Sequence, residues 1–426
     1  MIRRLFVVMA AWARICVLRC TIAAQIAVLL PRQGGLAPFR VPMTGSIPAS
    51  SPALIEHGRY LATVGNCAGC HTAPDGESLA GGRAFNTRYG VVYSSNITPD
   101  PEHGIGDWSS EEFRHAMRHG ISRNGVLSPA FPYTSFRRLD DGDLDALLAW
   151  LRSRPPSTAA RRPPVYAFPA NLPGAMIAWR LIYLRRAPEM HWSDAHVARG
   201  AYLVEGIGHC AVCHGSRGTF ASQSTGPQLW GARNAGWFAP ALHGTALARF
   251  ADGDLARYLK GGAPDAIASY GLMANVIAGN LQYLTDDDAG AIEAYLRLLP
   301  APPAEPEPPM RVRANDESLA LGRKVYAERC ADCHGERGEG VAGKYPPLQG
   351  SSAIAAPDPV NLVKLVALGA IAPSTPTHPM PYTMPPFAHS LSARDIAGVV
   401  NFLRAQENRD AVPVSEEDVG VMGGVE

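Results

Sequence analysis

Three stretches of this chain repeat one pattern of polar and apolar positions. "LDDGDLDALLAWLR" begins at Leu139, "LTDDDAGAIEAYLR" at Leu284 and "LSARDIAGVVNFLR" at Leu391, and the three align without a gap. Each has a leading Leu, an Asp at the fifth position (Asp143, Asp288, Asp395), then an aromatic (Trp150, Tyr295, Phe402) and a closing Leu-Arg. Apolar residues recur at helical spacing behind Asp140, Thr285 and Ser392, whose side-chain oxygens suit a helix N-cap. The pattern predicts three capped amphipathic helices. Upstream of each lies a shorter apolar segment with a glycine and an aromatic: Gly58 and Tyr60, Gly200 and Tyr202, Gly322 and Tyr326. A glycine lets two helix backbones approach closely, so these segments are expected to cross the closing helices beside Trp150, Tyr295 and Phe402, with the aromatics as plain core.

The repetition predicts an all-α chain of three tandem units over residues 51–155, 193–300 and 314–408. Residues 1–50 form a lead-in and 409–426 a tail. The linkers fall at 156–192, opening on "PSTAARRPP", and at 301–313, where "APPAEPEPPMRVR" reads as a stiff proline-rich spacer. Within the first linker, "PGAMIAWRLIYLRRAPEM" predicts a short helix packed between units, too short and too basic at its end to span a membrane.

Length agrees, since 426 residues at about 150 per domain suggest three. The net charge of +1 argues against a nucleic-acid surface. With 37 prolines and 42 glycines the chain is rich in loops, and 46% hydrophobic content allows only modest cores. At the N-terminus, Arg3 and Arg4 precede apolar stretches at 5–13 and 21–30, which reads as an export segment. A start at Met9 would leave Arg14 and Arg19 as its basic leader, with Cys16 and Cys20 as ordinary apolar residues.

The cysteines carry the chemistry. Six of the eight lie in three copies of C-x-x-C-H: Cys67, Cys70 and His71; Cys210, Cys213 and His214; Cys330, Cys333 and His334. On a helix these positions share one face, so two thiols can form thioethers with the vinyl groups of a haem while the adjacent imidazole meets the iron. Zinc needs four ligands, and each copy offers three with no second pair following it. A thioredoxin-like thiol pair needs a βαβ setting and has no use for the histidine.

An electron-transfer haem usually carries a second axial ligand, and methionine raises its potential. Met384 in "PYTMPPF" fits that role in the third unit, with Met380 as competitor, and Met273 is the only methionine in the corresponding interval of the second. The first unit departs from this: "SPAFPYTSF" aligns Phe131 with Met384, and a phenyl ring cannot coordinate iron. Met117, His103, His115 and His119 are the substitutes in reach, and an open site is the other reading.

With these motifs the chain resembles the tri-haem cytochrome c subunits of bacterial membrane-associated dehydrogenases. The segments that carry the resemblance are "GRYLATVGNCAGCHT", "NITPDPEHGIGDWSSEEF", "PAFPYTSF", "RGAYLVEGIGHCAVCH" and "YTMPPFAHSLSARDIAGVVNFLR". The resemblance implies three tandem class I cytochrome c-like helical domains holding three covalently bound haem c groups. It places His71, His214 and His334 as proximal ligands, with Met273 and Met384 distal. It implies an electron-transfer subunit on the periplasmic side of the bacterial cytoplasmic membrane. Its partners would be a flavin or molybdenum dehydrogenase subunit as donor and membrane quinone or a terminal oxidase as acceptor, with membrane association and no nucleic acid. The chain itself is expected to be non-catalytic; the rival is small-ligand or peroxide chemistry at an open first haem. Many relatives of the alcohol and gluconate type carry Met at the Phe131 position, so Phe131 tilts the expectation toward another partner class.

Overall fold

A computed structural model describes residues 50–184, 191–218, 220, 222, 228–262, 269–303, 313–342, 344–376, 379–381, 383–407 and 411–423. The export segment lies outside the described residues, as does most of the proline-rich spacer.

Local capping sets the first unit. Ser51 accepts the Leu54 N–H (3.1 Å) and starts α1 (Pro52–Val64). Left-handed Asn66 then turns the chain into α2 (Cys67–His71). A ribbon follows, of β1 (Ala84–Thr87) and β2 (Gly90–Tyr93). A capping box formed by Ser109 and Glu112 opens α3 (Ser110–His119). Next come a short hairpin, β3 (Ile121–Ser122) and β4 (Gly125–Val126), the single turn α4 (Tyr133–Phe136) and the closing helix α5 (Asp141–Arg152). Beyond it β5 (Val165–Tyr166) pairs with β2, so the proline-rich linker completes the sheet of the first unit. After it comes α6 (Ala175–Tyr183).

The second unit repeats the plan: α7 (Ala195–Tyr202), α8 (Ala211–His214), the ribbon of β6 (Ala232–Asn234) and β7 (Trp237–Ala239), α9 (Asp254–Leu259), α10 (Gly271–Gly279) and the closing α11 (Asp286–Leu298). The third has α12 (Asp316–Arg329), α13 (Ala331–His334), α14 (Ser352–Ala355), α15 (Val360–Leu368), β8 (Ala370–Ile371), β9 (Thr383–Met384), the closing α16 (Ala393–Glu407) and α17 (Glu416–Gly423), which packs on α15 and α16.

The expected caps are present. Asp140 accepts the Asp143 N–H at 2.8 Å, Thr285 that of Asp288 at 3.1 Å and Ser392 that of Asp395 at 3.2 Å. The dominant helix packings are α1 on α5, α7 on α11 and α12 on α16. At each crossing the glycine is obligatory: a Cβ on Gly58, Gly200 or Gly322 would stand 1.9, 1.9 or 2.0 Å from the carbonyl oxygen of Ala146, Ala291 or Gly398.

Two features differ from the sequence expectation. The chain is helix-rich but not all-α, because four short antiparallel ribbons recur among the described residues; strands of two to four residues have too little alternation to show in a sequence. The first two units share one continuous apolar core, from Leu61 to Leu299, while the third has its own around Val363, Ile396 and Val400. Helix α6 touches both of the first two units: on the first, the Trp179 ring lies 6.3 Å from the Tyr133 ring and Arg180 donates to the His119 carbonyl (2.7 Å). On the second, the buried Trp179 donates its indole N–H to the Phe220 carbonyl (2.8 Å), and the helix leaves Leu181 and Ile182 73% and 55% exposed. Among the described residues no helix is long and apolar enough to cross a membrane.

Candidate haem sites

Each C-x-x-C-H copy forms a short helix of its own: α2, α8 and α13. All six cysteines are free thiols rather than disulfides. The three histidines share one second contact. His71 Nδ1 lies 2.7 Å from the Ser95 carbonyl oxygen, His214 Nδ1 2.7 Å from that of Pro240, and His334 Nδ1 3.0 Å from that of Pro346. A carbonyl oxygen only accepts, so Nδ1 carries the proton and Nε2 keeps its lone pair free. Burial pushes all three imidazoles below their ordinary pKa, against the smaller upward pull of these bonds. A neutral imidazole held through Nδ1, with Nε2 free beside two thiols, suits axial ligation of a haem iron.

The thiols fit the same group. Burial, reinforced by the neighbouring Cys70 or Cys213, pushes Cys67 and Cys210 up to about 12, and Cys330 is likewise raised to about 11. Burial of this kind favours an uncharged sulfur, as a thioether is.

The structure brings the first two motifs together. Besides burial and the opposing charge of Arg83, Cys70 feels Cys213. The residue before each motif, Asn66 or His209, is left-handed, and both join the contact between the units. His209 Nε2 lies 3.2 Å from the Gly65 carbonyl oxygen, and the Asn280 amide donates to Asn66 Oδ1 (3.2 Å) and to the Thr63 carbonyl (2.6 Å). Across the same contact Arg138 pairs with Glu205 at 2.7 Å, and Glu205 also takes the Tyr295 hydroxyl. The third unit docks on β6 and β7 instead. The Asn361 amide brackets Phe238, accepting its N–H at 2.9 Å and donating to its carbonyl at 2.7 Å, and Arg233 reaches Asp358 at 2.7 Å.

Of the methionines expected as distal ligands, Met273 lies on α10, partly buried against the shared core, and Met384 on β9, partly buried against the third unit's core. Met380 is exposed. Phe131 packs on the shared core with its ring 5.3 Å from Phe136. Met117 is buried on α3. His115 and His119 face each other at 4.9 Å, and His103 lies in a loop whose N–H bonds Asp100 (2.6 Å).

Sequence reasoning missed the carbonyls that hold the histidines. A signal existed: Pro240-Ala-Leu242 and Pro346-Pro-Leu348 repeat a Pro-x-Leu step, and Ser95-Asn-Ile97 stands in its place in the first unit. It also missed Asn234, which donates to the Val212 carbonyl (3.0 Å) and to Cys213 Sγ (3.2 Å).

Thiol pairs and an Nδ1-anchored imidazole on one short helix, packed on a glycine-crossed helix pair, define a c-type cytochrome that carries covalent haem c. A cytochrome c family profile matches residues 55–155 and 319–407. Over 380 residues the chain is 37% identical to the alcohol dehydrogenase (quinone) cytochrome c subunit of Gluconacetobacter polyoxogenes, covering 84% of this chain and 81% of that protein. It is 34% identical over 401 residues to the gluconate 2-dehydrogenase cytochrome c subunit of Pantoea cypripedii, covering 87% and 89%. It is 37% identical over 394 residues to one of the subunits of the nicotinate dehydrogenase of Pseudomonas putida, covering 89% of this chain and 32% of that larger protein. The chain belongs to the family of dehydrogenase cytochrome c subunits. Equal identity to the alcohol and nicotinate proteins does not separate the partner classes between which Phe131 tilts the expectation.

Proposed function

We propose that this chain is the tri-haem electron-transfer subunit of a membrane-associated dehydrogenase on the periplasmic side of the bacterial cytoplasmic membrane. Its haem units span residues 51–155, 193–300 and 314–408. Cys67 and Cys70, Cys210 and Cys213, and Cys330 and Cys333 hold the three haems; His71, His214 and His334 are the proximal ligands, with Met273 and Met384 distal. The haem, when bound, supplies one-electron redox chemistry. The chain supplies the rest: Ser95, Pro240 and Pro346 fix the imidazoles, and the shared core joins the first two units. Electrons arrive from a flavin or molybdenum subunit and leave to quinone or a terminal oxidase.

The observation that carries this reading is the threefold recurrence of the Nδ1-anchored histidine behind a thiol pair. The membrane association draws support from α6. Ile177, Leu181 and Ile182 are exposed along its free face, and between Asp145 and Glu189 the chain has seven arginines and no acidic residue. Exposed apolar side chains set among cations match an anionic bilayer surface. Purifying the tagged protein from gently solubilised membranes tests the assignment. A flavoprotein or molybdenum subunit at near-equal abundance is expected, whereas recovery of the chain alone with its haems would make it a free-standing carrier.

A further inference from the structure

The second and third units each have a methionine on the segment that follows their middle helix, and the first has Phe131 there. The middle helices differ in a complementary way. α3, α9 and α15 superpose in sequence as "FRHAMRHG", "LARYLKGG" and "LVKLVALG", each ending at a glycine, Gly120, Gly262 or Gly369. The fifth position of this alignment is Met117 in the first unit, Leu259 in the second and Val366 in the third, and these are only 8%, 7% and 4% exposed. Phe131 follows Met117 by fourteen residues, and Met273 follows Leu259 by the same fourteen. The two positions have thus exchanged character: a thioether on the helix and a hydrocarbon after it in the first unit, and the reverse in the second.

We propose that Met117 is the sixth ligand of the haem attached at Cys67 and Cys70, an inference that rests on the tri-haem reading. Met117 is buried in the core shared by the first two units, against which Cys67, Trp108 and Phe131 of its own unit and Cys210 and Met273 of the second all pack. The other donors of this unit are placed differently. His119 is exposed, with its ring against His115, and His103 stands in the loop pinned by Asp100. Phe131 fills its own slot by packing its ring, tilted, against Phe136. A flexible, soft thioether carried on a rigid helix can serve iron as well as one carried on a loop.

The test is Met117→Leu, which installs the residue type that the second unit holds at this position. Haem content is read by intact mass, spin state by optical and electron paramagnetic resonance spectra, and vacancy by carbon monoxide added to the reduced protein. The parent is expected to be low-spin throughout and to bind no carbon monoxide. Met117→Leu should keep all its haems while one turns high-spin and takes up one carbon monoxide per chain. Met117→His, which keeps a donor, should stay low-spin but lower the potential of one haem alone. A parent that already binds carbon monoxide, or variants that match the parent in spin state and potential, would overturn the proposal. A parent with no haem on the Cys67–Cys70 peptide would overturn the tri-haem reading and this assignment together, and the mass distinguishes that failure from the others.

Discussion

The hydroxyl of Tyr60 donates a 2.6 Å hydrogen bond to the carboxylate of Asp288, 228 residues away, and the relationship has a mirror image: Tyr202 donates to Asp143, also at 2.6 Å. Tyr60 and Tyr202 occupy equivalent places on α1 and α7, as Asp143 and Asp288 do on α5 and α11, so each unit lends a tyrosine to the other's closing helix. The carboxylates are also held from within their own units, Asp143 by His57 (2.6 Å) and Asp288 by Arg199 (2.8 Å). The third unit does not join this exchange, since the Tyr326 hydroxyl turns inward to the Gly335 carbonyl at 2.6 Å. A hydrogen bond to a charged group contributes about 1.5–3 kcal/mol. Tyr60→Phe and Tyr202→Phe should each destabilise the paired units by about that much in denaturant unfolding. The double variant should exceed either, with haem content unchanged; parent-like unfolding of the double variant would show that the clasp carries no energy.

Acid should loosen one arm of this clasp. Burial pushes the Asp288 carboxyl up, but the bonds from Arg199 and Tyr60 and the Arg199 charge outweigh it and leave the pKa below its ordinary 3.8. A carboxylate whose folded pKa is depressed stabilises above its unfolded pKa and loses that contribution as pH falls through the folded value. Stability of the first two units should therefore fall as pH drops below about 4. Asp288→Asn should be less stable at neutral pH and flatter in this acid range, measured by unfolding at a series of pH values.

The helix crossings make a sharper structural prediction. A Cβ at Gly58 or Gly322 would strike backbone rather than a movable side chain, so alanine must force the helices apart. Overpacking of this kind costs about 1–3 kcal/mol or more. Because the cores are separate, Gly322→Ala should raise amide exchange in α12 and α16 and leave α5 and α11 protected, whereas Gly58→Ala should expose α5 and α11 together. Exchange spreading from Gly322→Ala into α11 would contradict the two-core arrangement.

The exposed face of α6 should report on membranes. Leu181→Glu with Ile182→Glu should lower retention on phosphatidylglycerol vesicles at least several-fold and leave haem content unchanged, and added salt should weaken binding of the parent. Equal retention of parent and variant would remove α6 from the membrane contact.

Much of this architecture could be read from the residues. The closing helices, their caps at Asp140, Thr285 and Ser392, and the glycine crossings follow local rules of period, capping and backbone approach, so sequence carries them. The cross-unit clasp does not. Tyr60 and Tyr202 look like Tyr326, a core aromatic beside a glycine, and nothing in their own segments says that their hydroxyls reach another unit. The Asp at the fifth position of each closing helix is visible as a repeat, but its role at Asp143 and Asp288 depends on a neighbour more than fifty residues away. The shared core is hidden for the same reason, because it arises from contacts distant in sequence, whereas the ribbons are mostly local hairpins whose strands of two to four residues are too short to show alternation. Of the site, the thiols and histidines are legible as a motif, while the carbonyls that set the histidine tautomers come from loops of a different local pattern.

The account rests most directly on the number and place of the haems, and intact mass of the mature protein with peptide mapping measures both. The chain plus three haems, one on each peptide containing Cys67 and Cys70, Cys210 and Cys213, and Cys330 and Cys333, is the predicted result. A mature protein with fewer haems, or with free thiols at any of these pairs, would contradict it.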